Sequence, residues 1–220
     1  MEMMILGLVL FLGTHSIRIF SPDRRLHLIE RIGQKAYKGI YTLVSLIGIV
    51  LIVKGHDNAL ATLNWGWTPP VFTKHITLLL MLFAIIMLVS TYIPNNHIKA
   101  KLKHPMILSV KVWAFAHLIA NGEGANVILF GSFLVWAVLD FRSVRQRDRL
   151  DTQLSPNEDS RVAVQTKKSV ASTLSCIFVG TVIWVAMIVY LHNLLFGVYP
   201  IFIPGMMGPS AIPGVTVLPT

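Results

Sequence analysis

Long apolar runs and short polar connections alternate along this chain. Windows approaching the ~20 apolar residues that cross a ~30 Å hydrocarbon core, with ~17 as a working lower limit, recur six times. They cover residues 3–19, 36–53, 72–93, 105–120, 125–141 and 170–198. The fourth and fifth are short and are joined only by Asn121-Gly122-Glu123-Gly124, the pattern of a tight helical hairpin. The pattern predicts an all-α integral membrane protein: one domain over residues 1–220, built as a bundle of six transmembrane helices. Residues 142–169 are polar, lack a sustained apolar period and read as a linker. The tail "PIFIPGMMGPSAIPGVTVLPT" is rich in Pro and Gly and reads as irregular, with Met206 and Met207 as packing residues. The opening "MEMMILGLVLFLGTHSIRIF" has Glu2 and no early cation, and its apolar run ends at Arg18. It reads as a retained first span and not a cleaved signal.

Composition supports the membrane reading. Charged residues are 13% of the chain, against ~25% in soluble domains. Mean hydropathy is +0.66. The net charge of +9 does not point to nucleic acid, because the cations lie between apolar segments instead of on one soluble face. The successive connections carry six, two, three, zero and seven Lys or Arg, and the stretch after Val198 carries none. By the positive-inside rule, connections one, three and five face the cytoplasm, and both termini lie on the outer, periplasmic side. The single cysteine, Cys176, excludes an intramolecular disulfide and a Cys-based metal cluster. Nucleotide-binding glycine loops, a nucleophile elbow and a zinc-protease helix are absent from the sequence.

The candidate chemistry lies in polar groups at membrane depth, where an ionisable side chain is a functional candidate. "KLKHPMILSVKVWAFAHLIANGEG" puts His104 at the mouth of the fourth span, Lys111 and His117 inside it, and Pro105 in its first turn. At ~1.5 Å per residue, Lys111 is about 10 Å and His117 about 20 Å deeper than His104. His104 and Lys111 share a helix face, and His117 points about 120° away. Two layers follow. An inner one holds His15, His104, Arg18 and Asp140; an outer one holds His75, His117, His192 and Glu123. Lys111 is read as snorkelling or pairing with Asp140. Trp65 and Trp67 read as interfacial anchors, His56 and His75 as interfacial residues bracketing the outer loop, and His27 and His97 as structural. His15 and His117 stand well inside apolar runs with no charged neighbour in sequence, which makes them the candidates for a metal- or haem-ligand role or a substrate role.

The segments "LGLVLFLGTHSIRIF", "KGIYTLVSLIGIVLIVKG", "WTPP" and "KHPMILSVKVWAFAHLIANG" together resemble the NnrU family of bacterial membrane proteins, which is related to 15-cis-zeta-carotene isomerase. The likeness covers about Leu6 to Asp140, and "LHNLLFGVYP" resembles the family's final span. It implies a bacterial inner-membrane protein associated with denitrification, supporting nitrite and nitric oxide reductases. It also implies haem b held by two histidines, used for cis–trans isomerisation of a polyene or related redox chemistry. His15 and His117 match the isomerase's ligand positions, and His104 matches the histidine of its "HP" pair.

The depth reading disagrees in part. Two imidazoles on one metal bring their nitrogens to about 4 Å of each other, twice a metal–imidazole bond of ~2 Å. The layers separate His15 and His117 by about 10 Å or more. The pairing therefore stays open between His15 with His117, and His15 with His104 plus His117 with His192. Three functions compete: a haem-dependent isomerase or redox protein with an apolar substrate, a non-catalytic membrane factor for respiratory or denitrification enzymes, and a methyltransferase. The last rests on "KHPMILSVKVW", which is similar to the "RHP" turn of isoprenylcysteine methyltransferases. It ranks third because "DFRSVRQRDR" is basic and lacks the following Glu pair.

Overall fold

Apolar residues take up helix in this chain because a backbone in hydrocarbon has to satisfy its N–H and C=O groups within the segment. A computed structural model describes residues 1–154 and 168–201. The helices are α1 (Glu2–Phe20), α2 (Pro22–Ile32), α3 (Gln34–Thr62), α4 (Val71–Tyr92), α5 (His97–Leu102), α6 (Pro105–Ala120), α7 (Gly124–Leu154), α8 (Val170–Ala186) and α9 (His192–Phe196). A π-helical turn, Met187–Leu191, joins α8 to α9. No strand occurs among the described residues; Gly66 and Glu123 form one isolated bridge. The readings of residues 155–167 as linker and of the tail beyond Ile201 as irregular lie outside the described residues.

Five helical segments are long and apolar enough to cross a membrane: Glu2–Phe20, Gln34–Thr62, Val71–Tyr92, Gly124–Leu154 and Val170–Phe196. The sixth window is α6, apolar but only 16 residues long, about 24 Å at ~1.5 Å per residue. Large apolar side chains point outward along these helices, with Leu43 60% and Phe178 70% exposed. Such surface suits acyl chains and not water.

Two helices outrun their apolar windows. α3 continues through Lys54, His56 and Asp57 to Thr62. α7 continues through Arg142 to Leu154, over residues read as the start of a linker. That stretch contains no Gly or Pro and is rich in Arg, Gln and Leu, all good helix formers.

The packing order is α3, α1, α7, α6, α4, α8, each touching the next, and α3 also touches α7. Glycines allow the closest approach. Gly7 of α1 faces Gly48 and Ile52 of α3, and Gly55 faces the Met4 backbone. At the end where α1 begins, Met4, Leu8, Ile52, Ala59 and Ala125 form a buried cluster. There the Trp65–Trp67 segment pairs with the α6–α7 turn: Trp67 N donates to Gly122 O at 3.2 Å, and Gly124 N to Trp65 O at 2.9 Å. Polar ties join neighbours deeper in the bundle. Thr77 Oγ1 donates to Ala116 O at 2.8 Å, and Trp184 Nε1 to Leu78 O at 2.9 Å. At the opposite, basic end Ser169 N donates to Asn95 O at 2.8 Å.

Candidate functional site

Aromatic side chains spaced four apart line one face of a helix. Phe11 and His15 do so on α1, and Trp113 and His117 on α6; Phe133 of α7 touches rings of both helices, and Phe130 packs on those of α6. The Phe11 and Phe133 rings are 5.7 Å apart, and Phe133 meets Trp113 edge-on at 5.3 Å. These three rings form a level across α1, α7 and α6. α1 and α7 run in the same direction, since Met4 and Ala125 share the cluster at one end. α6 runs against α7 through the tight turn at residues 121–123. His15 therefore lies one helical turn below the aromatic level, toward the basic end, and His117 one turn above it. Each offset of four residues is about 6 Å of helix rise, so the two residues stand about 12 Å apart along the helix axes. The aromatic level stands between them.

Both histidines are held in one way. His15 Nδ1 lies 2.7 Å from Phe11 O, and His117 Nδ1 lies 2.9 Å from Trp113 O. A carbonyl can only accept, so each Nδ1 carries the proton. In the neutral ring the lone pair is then on Nε2. Among the described residues neither Nε2 has a hydrogen-bond partner. His15 is walled by Phe11 at 4.3 Å, Tyr41 at 5.0 Å and Trp136 at 6.0 Å between ring centroids. His117 stacks on Phe130 at 4.7 Å and tilts against Trp113 at 5.4 Å. Asn121 Nδ2 donates to His117 O at 2.8 Å and closes the end of α6.

His192 repeats the device at the end of the π-helical turn, a feature that recurs at functional sites. Its Nδ1 donates to Val198 O at 2.8 Å, and Phe196 packs at 5.1 Å. His192 lies within electrostatic reach of His117. His104 differs, because its Nε2 is taken by Asp148 Oδ2 at 2.9 Å.

The inner layer gathers around Asp140, which lies in the fields of Arg147, Arg18, His104 and His15. No ion pair within 4.0 Å involves Asp140 among the described residues. Arg147 Nη1 donates to Ser143 Oγ at 2.7 Å and approaches Arg18 O at 3.4 Å. Its Nη2 and Trp136 Nε1 are buried with no hydrogen-bond partner among the described residues. Lys111 does not pair with Asp140; its Nζ lies 5.6 Å over the Phe141 ring.

In the outer layer, Glu123 is not turned to His117. His56 Nε2 meets Asn126 Oδ1 at 2.8 Å, and Asn126 Nδ2 donates to Glu123 Oε2 at 2.8 Å. His75 lies near the start of α4 and makes no hydrogen bond or ring contact among the described residues.

Sequence reasoning missed Asn126, Asp148 and the three rings at mid-level. One signal was present for the rings: an aromatic residue four before the histidine occurs in both spans, Phe11–His15 and Trp113–His117.

The NnrU protein family matches this chain over residues 3–200. The chain belongs to the NnrU family. Among curated proteins and solved structures, none matches it. The family match runs from the first residues of α1 to just past α9 and so takes in His15, His104, His117 and His192.

Proposed function

We propose that this NnrU-family chain is a six-span bacterial inner-membrane protein that binds haem b, which His117 would hold, with His192 as the candidate second imidazole. The observation that carries the reading is the unpartnered Nε2 of His117, left free by the bond from Nδ1 to the Trp113 carbonyl. A ligand histidine is oriented by such a bond, which fixes the tautomer and aims the other nitrogen at the metal. His192 is prepared in the same way through Val198 O. The π-face of Phe130 and the tilted ring of Trp113 supply apolar walls. Haem bound there would supply a redox-active iron for cis–trans isomerisation of an apolar polyene or for electron transfer. The protein's own part is to orient the imidazole through Nδ1 and wall it with apolar rings. His15 has a free Nε2 in a separate aromatic setting, one turn below the central rings. The charge of the connections supports an orientation with the basic end in the cytoplasm and both termini outside.

The test is the absorption spectrum of detergent-solubilised protein expressed with ample haem. A Soret band is expected in the parent and in His15→Ala, and its loss in His117→Ala. Protein without bound haem under these conditions refutes the reading. Loss of the band in both His15→Ala and His117→Ala would restore the pairing of those two residues.

A second reading, an accessory factor for nitrite or nitric oxide reductase, is favoured by the extension of α7 past its apolar part. Residues 142–154 are more helix than crossing requires, and their far end leaves Leu150 48% and Leu154 81% exposed. If a chain lacking both His15 and His117 still complements a deletion strain, that reading replaces the first.

A further inference from the structure

The helix α2 belongs to no span. It leaves α1 at Ser21, where the backbone turns to φ −147° and ψ 63°, and meets α3 at Gly33, with φ 84°. A positive φ is open to glycine and strained for other residues. Among the described residues, α2 contacts only the helices α1 and α3, so it is held at the basic end of both. Arg25 and Ile29 turn partly toward the bundle, and the Arg25 guanidinium lies 5.7 Å over the Tyr37 ring. The flanks remain open: Leu26 is 53%, Leu28 40% and Ile32 41% exposed.

The two flanks are chemically unlike. At ~100° per residue, Arg24, Leu28, Arg31 and Ile32 fall on one stripe of the helix. Asp23, Leu26 and Glu30 fall on the opposite stripe. One edge thus alternates guanidinium and apolar groups, and the other is acidic. Between Arg18 and Lys38 six cations stand against two anions, a net charge of +4.

We propose that α2 lies in the headgroup layer and that its Arg24–Leu28–Arg31–Ile32 edge binds anionic phospholipid. Leu28 and Ile32 enter the acyl boundary, and the two guanidiniums take the phosphate and the negative surface beside them. Position and charge both point to this occupant. Two span ends fix the helix at the depth where the chain leaves the hydrocarbon. An amphipathic helix with basic residues beside its apolar face is the form that lies in that layer. Anionic headgroups match the net charge of the connection, whereas zwitterionic ones do not.

The experiment uses the full chain in micelles of mixed phosphatidylcholine and phosphatidylglycerol, with retained lipid counted by native mass spectrometry. At about fivefold per arginine near an anionic surface, the pair gives a preference of roughly 30-fold for phosphatidylglycerol. The double variant Arg24→Gln/Arg31→Gln is expected to fall close to parity. The control Asp23→Asn/Glu30→Gln is expected to keep or raise the preference. All four side chains are exposed, and far-ultraviolet circular dichroism checks that each variant is as helical as the parent. The proposal is overturned if the parent shows no preference, if the arginine variant retains it, or if the control loses it as fully as the arginine variant.

Discussion

Replacing Gly7 by alanine would press a methyl group into the backbone of α3. A Cβ at Gly7 would lie 2.6 Å from Gly48 O, 2.6 Å from Ile52 N and 2.9 Å from Ile52 Cγ1. Non-bonded heavy atoms prefer about 3.5–4.0 Å, so the helices would have to part by roughly 1 Å. A gap of 0.5–1 Å forfeits about a quarter to a half of each contact's attraction along the line of separation. Overpacking of this kind costs about 1–3 kcal/mol. The upper half of that range is expected, because two of the three obstructing atoms are backbone and cannot change rotamer. The damage should reach the site, since Gly48 in turn sits 2.9 Å, measured from its ideal Cβ, from Phe11 N, and Phe11 is the first ring of the aromatic level. The assay is unfolding by increasing dodecyl sulfate in mixed micelles, followed by circular dichroism. Gly13→Ala is the matched control: nothing lies within 4 Å of its added Cβ, and alanine is favoured over glycine in a helix by about 0.8–1.0 kcal/mol. Gly13→Ala should therefore be neutral or stabilising. If Gly7→Ala matches the parent within about 0.5 kcal/mol, the typical size of an inconsequential surface change, α1 and α3 do not touch as described.

Asn126→Ala should destabilise by about 1–3 kcal/mol, because it strips partners from both His56 Nε2 and Glu123 Oε2. Combining it with His56→Ala in a double-mutant cycle should give clearly less than the summed effects, and additivity would show that the two side chains are not in contact. Trp184→Phe removes the donor to Leu78 O between α8 and α4. It is expected to cost about 0.6 kcal/mol, the average for interhelical bonds in a bilayer; a loss above about 2 kcal/mol in the same unfolding assay would mean that packing and not the bond was lost.

The apolar windows locate the bundle helices well because they report where lipid is. They do not report where helix stops. α3 runs nine residues past Val53, and α7 runs on from Phe141 to Leu154, both through polar sequence held by contacts such as His56–Asn126 and His104–Asp148. α2 was legible in principle: Pro22 stands at its first position and Gly33 just past its end, the usual start and stop signals. A count of loop cations absorbed it. The two depths of His15 and His117 were also legible, since rise per residue needs only the topology. What each ring bonds to was not. Donation to the carbonyl four residues back depends on a rotamer, and the pairs His56–Asn126 and His104–Asp148 join residues 70 and 44 apart. No local pattern announces such pairs.

The two levels of His15 and His117 also have an electrical consequence. The ~12 Å between them is about two-fifths of a ~30 Å hydrocarbon core. A unit charge carried from one level to the other would cross that share of the transmembrane voltage. At ~2.3 kcal/mol per 100 mV for the full thickness, the work is about 0.9 kcal/mol, or roughly a fivefold bias in an equilibrium. A protonation or electron step confined to one histidine would feel little of the field. A step coupling the two would read the energised state of the membrane.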